Sequence, residues 1–540
     1  MGQGARVSAH GASASAAGVG GLSRRALLAG AALPWVGCAS TPAITGGFSG
    51  THPERGHLLR DTAAMAAALA APPARTHRTG VVIAGGGVAG LAAARALRGR
   101  GIDDFVMLEL EDEAGGNSRA GAIDAVPHPL GAHYLPLPGD GAREVQDLLE
   151  DLGLRRRVAG RWVVDERHLC HSPQERLFFR GEWQEGLLPT QDVGAGTVAE
   201  YRRFASAVAS AGAEAPFALP AARGAMADSH RVLDALTFAD WLGRERFTDP
   251  QLRWYLDYCC RDDYGAGVST VSTWAGLHYF ASRHGFQPPG EATDSDGVLT
   301  WPEGNGWLTR QLAQPLGDRL HGGRVVLRIA ARRHGVQVDA FNTAGNAVER
   351  WEARHCIVAL PLLAAGRVVE NPPAFLREAA ARVRYAPWLV ANLQLREPLD
   401  DRAGAAPAWD NVLYGSAGLG YVDAGHQSLH PVPSGRLLTW YLAPGEAARG
   451  ALLTQPWTHW RDLLLAELAP AHPDLARKTR RIEVTRYGHA MAVPVPGARG
   501  MLAKLPLQAG PLRFAHSDWA GYSVFEEAFT LGHRAGLQIA

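Results

Sequence analysis

The stretch from residue 81 to residue 116 constrains the fold of this chain more than any other. It opens on Val81-Val82-Ile83-Ala84, an apolar run suited to a buried parallel strand. Gly85, Gly87 and Gly90 follow in G-x-G-x-x-G spacing, ahead of an alanine-rich run that favours helix. In such a unit the first glycine permits a tight turn and the second lets backbone approach a pyrophosphate. The third lets helix pack closely on strand, and the helix N-terminus offers unpaired N–H groups to phosphate. A second strand, Phe105-Val106-Met107-Leu108, ends at Glu109, about twenty residues past the last glycine, where a ribose-binding carboxylate belongs. Glycine spacing alone also arises in packing turns. Strand, glycines, helix, strand and terminal acid in this order predict a dinucleotide site and an α/β fold.

The rest of the composition narrows the choice. With 540 residues, 46% hydrophobic and 20% charged, the chain has room for two or three domains. Lys+Arg at 54 against Asp+Glu at 53 leaves no basic field of the kind nucleic acid demands. The only lysines are Lys478 and Lys504. The five cysteines form no C-x-x-C pair, and with scattered histidines no metal is expected.

Residues 1–45 read as a targeting segment. Ser23-Arg24-Arg25-Ala26-Leu27-Leu28 is a twin-arginine pattern followed by an apolar run, which predicts export of a folded protein to the periplasm by the twin-arginine translocation machinery. Val36-Gly37-Cys38 also resembles a lipoprotein cleavage site, so lipid anchoring at Cys38 and ordinary cleavage are both open. No later stretch is apolar for long enough to span a membrane. Residues 46–78 read as linker around one short helix.

Beyond Glu109, the segment Glu109-Leu110-Glu111-Asp112-Glu113-Ala114-Gly115-Gly116 resembles the E-x-x-x-x-x-G-G segment of FAD enzymes in the flavin-containing amine oxidase superfamily. That superfamily also holds polyamine oxidases, protoporphyrinogen oxidases and carotenoid desaturases. The arginine usual after the glycines is Asn117 here, with Arg119 two positions on as its substitute at the phosphate. Gly131-Ala132 stands where the family runs small residues along the flavin ring. Val326-Leu327-Arg328-Ile329 with Gly335-Val336-Gln337-Val338 resembles the hairpin whose valine backbone meets adenine. Near the C-terminus, Phe514-Ala515-His516-Ser517-Asp518, then Glu526-Glu527-Ala528, resembles the strand, loop and helix that bring a second helix N-terminus to the flavin, with Asp518 and Glu527 as contacts.

The resemblance implies a discontinuous FAD domain (79–148, 300–365 and 497–540) and a mixed sheet-plus-helix substrate domain (149–299 and 366–496). It implies an FAD-dependent oxidoreductase that takes an amine, a polyamine among the candidates, and oxidises its C–N bond by hydride transfer to flavin. A desaturase-like C–C dehydrogenase on the same fold, or a non-catalytic flavin-binding assembly factor, are the alternatives. The electron acceptor is open between oxygen, a quinone and a cytochrome. Matching Arg396-Glu397-Pro398 to the family puts Val390 where amine oxidases keep a lysine near the flavin. Tyr522 is a candidate for one of the aromatics that flank the ring.

Two further sites follow. Arg261-Asp262-Asp263-Tyr264 reads as a charged turn between two helices, either a cap with a surface ion pair or an anionic anchor for a cationic amine. His489 falls where monoamine oxidases carry the cysteine bonded to flavin, so it is read as a covalent link, a hydrogen-bonding base or a core histidine.

Overall fold

The computed structural model describes residues 43–289, 297–428 and 436–540. The twin-arginine pattern and Cys38 lie outside the described residues.

The apolar run of the opening motif becomes the end of a ten-residue strand, Arg75–Ala84. Its neighbours in the first sheet are Phe105–Leu108 on one side and the long strand Ala347–Val358 on the other, both parallel to it. Leu512–Phe514 adds in parallel at the end of Ala347–Val358, so the C-terminus returns to the sheet that the N-terminus opens. The hairpin Arg324–Arg332 and Gly335–Asn342 completes it in antiparallel fashion. Val82, Ile83 and Ala84 are fully buried, as strands covered on both faces must be.

Two helices lie across this sheet and touch through glycine. Val88–Gly99 follows the glycine turn, and Phe525–Leu537 crosses it where Gly532 and Gly536 meet Ala89, Ala93 and Ala96. A Cβ on Gly532 would stand 2.0 Å from the Ala89 carbonyl oxygen, so only glycine allows the crossing. That crossing brings both helix N-termini to one edge of the sheet.

The second sheet is assembled from the segments between those of the first. Its order is Thr45–Phe48, Thr479–Val493, Arg384–Leu395, Arg436–Leu442, Tyr421–Asp423, Asp410–Leu413, Glu175–Phe179 and Glu182–Glu185. Helices Ala195–Glu214, Pro250–Tyr264 and Thr273–Ala281 pack around an aromatic-rich cluster on its face. The α/β class and the two-part architecture hold.

Two local expectations change. Thr45–Phe48 is a strand on the free edge of Thr479–Val493, and 53–70 holds two helices, so this segment is more than linker. Gly46 has no strand signature, but any Cβ there would lie 2.0 Å from the Ile482 carbonyl, and the long partner strand dictates the pairing. The tetrad 261–264 is the last turn of helix Pro250–Tyr264, ended by left-handed Gly265, and not a turn between helices. No helix among the described residues is long and apolar enough to cross a membrane.

Candidate cofactor and active site

Both helix N-termini open into one cavity of about 480 Å³ that runs between the two sheets. Gly85, at φ +105°, makes the turn; a Cβ there would lie 2.3 Å from the Ala359 oxygen. Gly90 is needed for packing, since its Cβ would stand 2.0 Å from the Gly85 oxygen. Gly87 differs from both. A Cβ on it would meet only the Gly116 Cα, at 3.9 Å, and would project into the cavity. Gly87 caps its helix with no side-chain acceptor, so the first-turn N–H groups face a cradle that any larger residue would fill.

Glu109 closes this end. It is 7% exposed, and its carboxylate accepts the Gly86 N–H at 2.7 Å and the Glu111 N–H at 2.8 Å. Burial pushes its pKa up, against the pull of those two N–H groups and of Arg119. Oxygens held in this way keep lone pairs for a ribose diol. Gly115, Gly116, Gly131, Ala132 and Val326 all line the same cavity, and the hairpin ladder slips between Val326 and Arg328 at its wall. The residues present therefore fit a dinucleotide.

The other sequence candidates are engaged with the protein itself. Arg119 is buried beside the wall, its Nε donating to the Gly116 carbonyl at 3.2 Å and its Nη2 3.5 Å from Glu111. It braces the glycine loop. Asp518 lines the cavity, but its carboxylate already accepts from Leu362 N–H at 2.9 Å and the Tyr385 hydroxyl at 2.5 Å. Against burial, those bonds and His516 hold its pKa down. Glu527 points away from the cavity and accepts the N–H groups of Ala221 and Ala222, whereas Glu526 lines the wall. Burial pushes Glu527 up to about 7. The doublet Glu526-Glu527 offers no means of telling the two apart in sequence, because only the helix's rotation decides it.

An N-terminal strap closes the dinucleotide end, and sequence reasoning misses it. Gly56 and Leu59 line the cavity. His52 sits 2.6 Å from Glu111, and Arg55 donates to Asp112 at 2.8 Å and to the Leu110 carbonyl at 3.0 Å. The strap is thus pinned to the loop that carries Glu109.

At the opposite end the walls are aromatic. His133 stacks on Tyr441 at 4.5 Å, and Trp409 lies 5.9 Å from Tyr134. The hydroxyls of Tyr441 and Tyr487 donate to the carbonyls of Gly131 and Leu130, the loop of small residues. Burial lowers His133 to about 3, so it is neutral. Trp388 joins this wall, and Ala490 and Val524 are the small residues on it.

Both aspartates of the charged tetrad line the cavity, but only one of them is paired. Asp263 is 6% exposed and spent on the protein: Arg283 lies 3.2 Å away, and the Tyr522 hydroxyl donates to it at 2.5 Å. Arg283 in turn donates to Tyr522 at 2.7 Å. Tyr522 is therefore buried in this triad and forms no part of the cavity wall. Asp262 lines the cavity and has no hydrogen-bond or ion-pair partner among the described residues. Burial and then Asp263 push its pKa up to about 7. Asp410, in register beside Glu175 on a parallel strand, adds to the same field and is itself pushed up by burial, Glu175 and Asp262.

His489 lines the cavity wall, set among its neighbours but open to the cavity, which removes the core-histidine reading. Burial, then Arg449, Arg60, Arg367 and His57, lower it to about 4. Val390 is fully buried among apolar side chains, and neither lysine lines the cavity. Lys478 is held instead by Asp400 at 2.5 Å and Asp474 at 2.8 Å.

A dinucleotide cradle opening into an aromatic chamber defines a two-domain flavoprotein oxidoreductase. The family model for flavin containing amine oxidoreductases matches residues 88–539, and the chain belongs to that family. It is an FAD-dependent enzyme. A protein of Mycobacterium tuberculosis H37Rv, provisionally named flavin-containing monoamine oxidase AofH, is 27% identical over 488 residues, covering 85% of this chain and 96% of its own. Human amine oxidase [flavin-containing] B is 24% identical over 303 residues, 55% of this chain and 53% of that protein. Among solved structures, putrescine oxidase bound to putrescine superposes with a TM-score of 0.66 at 18% identity, covering 86% of this chain and 99% of the other. Cyclohexylamine oxidase from Brevibacterium oxydans gives 0.63 at 19%, covering 87% and 99%. At those identities the structures speak to fold alone.

Proposed function

We propose that this enzyme oxidises the C–N bond of a substrate carrying a second positive charge, a diamine or polyamine. The observation that carries the reading is Asp262, an unpaired carboxylate on the wall of the aromatic chamber that shares its cavity with the FAD cradle. FAD supplies a hydride acceptor when bound. Gly85, Gly87, Gly116 and Glu109 would hold its pyrophosphate and ribose, and Gly131-Ala132 would let its ring lie close.

The chain's own side chains do the rest. Tyr134, Trp388 and Tyr441 exclude water and hold the carbon skeleton, while Asp262 attracts an ammonium group. A carboxyl near pKa 7 holds that charge in its ionised form, which is populated as pH rises through about 7. His489 is no anchor for a cation, because burial and then its cationic neighbours lower its proton affinity, and those neighbours repel the substrate. With no lysine among the residues that line the cavity, we assign the enzyme as a dehydrogenase that passes electrons to an acceptor other than oxygen.

Anaerobic addition of an amine panel tests this. Diamines should bleach the flavin at concentrations at least tenfold below those of matched monoamines. Bleaching by monoamines alone would remove the second charge from the reading, and bleaching by no amine would favour a C–C dehydrogenase. Export by the twin-arginine route is part of the same proposal. Arg24→Lys with Arg25→Lys should leave flavin-loaded protein in the cytoplasm, and normal export of that variant would refute the route.

A further inference from the structure

The hairpin of strands Arg155–Val158 and Arg161–Val164 pairs with no other strand, and its composition is unlike the rest of the surface. Ala159 and Gly160, at φ +49° and +81°, make a two-residue turn of the kind that keeps a hairpin tight. Every cross-strand pair sets an arginine against an apolar residue: Arg155 with Val164, Arg156 with Val163, Arg157 with Trp162, and Arg161 with Val158. Both faces therefore carry the same mixture.

The apolar members are in solvent. Val158 is 45% exposed, Trp162 44% and Val163 38%, and these are three of the seven exposed large hydrophobics among the described residues. The Arg155 guanidinium covers the Trp162 ring at 3.9 Å, with Arg157 at 5.3 Å. The charge is unbalanced as well. Arg155 lies 3.7 Å from Glu150, but Arg156, Arg157 and Arg161 form no ion pair among the described residues. The nearest acids on either side are engaged elsewhere, Asp151 with Arg95 and Asp165 with Arg167. The hairpin's base is fixed, because Leu154 is 2% exposed within the core of the cofactor half, with Val164 packed against it.

We propose that this hairpin docks the protein on an anionic phospholipid bilayer. Its chemistry matches the interfacial zone: guanidinium groups pair with lipid phosphates, tryptophan rests at headgroup depth, and two valines reach the first acyl carbons. Arginine stems extend along the apolar residues and keep their charged ends at the phosphates. A groove in an acidic protein would select one face of the hairpin, whereas here neither face is the polar one. A bilayer surface accepts both faces of an inserted tip. The proposal is independent of the amine reading.

Co-sedimentation of the full chain with vesicles tests it, using phosphatidylcholine alone and an equimolar mixture with phosphatidylglycerol. The leader contributes equally to wild type and variants, so the difference between them reports the hairpin. Each arginine at an anionic surface is worth about fivefold in partitioning, so Arg156→Ser, Arg157→Ser and Arg161→Ser together should weaken binding to the mixed vesicles about 100-fold. Raised salt should erase that difference, and Trp162→Ser alone should weaken binding several-fold on the same vesicles. Flavin content and melting temperature should stay at the wild-type values, since these side chains are exposed. Equal partitioning of the triple variant and wild type would overturn the proposal. So would a hairpin-dependent self-association, or capture of an acidic protein, in the absence of hairpin-dependent vesicle binding.

Discussion

At the dinucleotide end of the cavity the wall is glycine backbone, two helix N-termini and one carboxylate. At the amine end it is aromatic rings and carboxylates delivered by the loop after Gly131, by helix Pro250–Tyr264 and by three strands of the second sheet. The first end binds through groups every residue possesses, so it is specified by what is left out: a Cβ at Gly85, Gly87 or Gly90. The second binds through what side chains add, and its strongest feature is a charge the protein leaves unpaired. Removing a residue's contribution therefore means opposite things. Adding atoms breaks the cradle, and neutralising charge breaks the chamber.

The largest effect is expected where the chamber's charges hold each other. Arg283→Met leaves Asp263 buried without its cation, and loss of one partner from a buried pair costs about 3–5 kcal/mol. The melting temperature should fall sharply, and Asp263→Asn in the same chain should restore part of it. If the single variant melts like wild type, the triad with Tyr522 is not structural.

Next in size is the cradle. Gly87→Val adds a side chain that meets no protein atom closely but occupies the cavity, and overfilling of this size costs about 3 kcal/mol. FAD affinity should drop about 100-fold by fluorescence titration, with the circular dichroism spectrum of the apoprotein unchanged. A yellow Gly87→Val protein would mean that the cradle is elsewhere.

Asp262→Asn should act on substrate alone. A charge-assisted contact is worth about 1.5–3 kcal/mol, so KM for a diamine should rise ten- to hundredfold while kcat changes less. Stability should hold or improve, because a carboxylate forced up to about 7 by burial and Asp263 is relieved of its charge. The sign of the pH dependence follows. The active form is the carboxylate, so wild-type kcat/KM should climb as pH rises through about 7, and the variant should lose that step. A step that survives in Asp262→Asn and vanishes in His489→Ala would assign the titrating group to His489.

The smallest effect concerns the strap. His52→Ala with Arg55→Ala removes two partly buried contacts and one exposed contact to the Glu109 loop, worth about 1 kcal/mol each at most. FAD release, followed by the recovery of flavin fluorescence, should speed up about tenfold. An unchanged release rate would mean that the strap covers the cofactor without retaining it.

Legibility in the sequence follows the two construction rules. The cradle is legible with its residues in place because strand, turn and helix are local, and few structures besides a phosphate-binding turn need glycine at this spacing between them. The chamber is legible only at Asp262-Asp263, as a doublet whose members look alike. Both line the cavity, but one is consumed by Arg283, twenty residues on, and the other is left unpaired; the packing of Arg283 and Tyr522 decides between them. Glu526 and Glu527 repeat the lesson. Tyr441 carries no local signal, since it sits in an ordinary strand and reaches the wall through register with a neighbour.

The chain's own order of residues is enough to establish a dinucleotide fold, its FAD-enzyme kinship and the absence of a lysine at position 390, because each rests on local geometry or on a single position. Which carboxylate is free, which is paired, and which end of the cavity repels a cation are decided by tertiary structure alone. The electrostatic environment of a buried charge depends on groups tens or hundreds of residues away, and only the folded chain sets those distances.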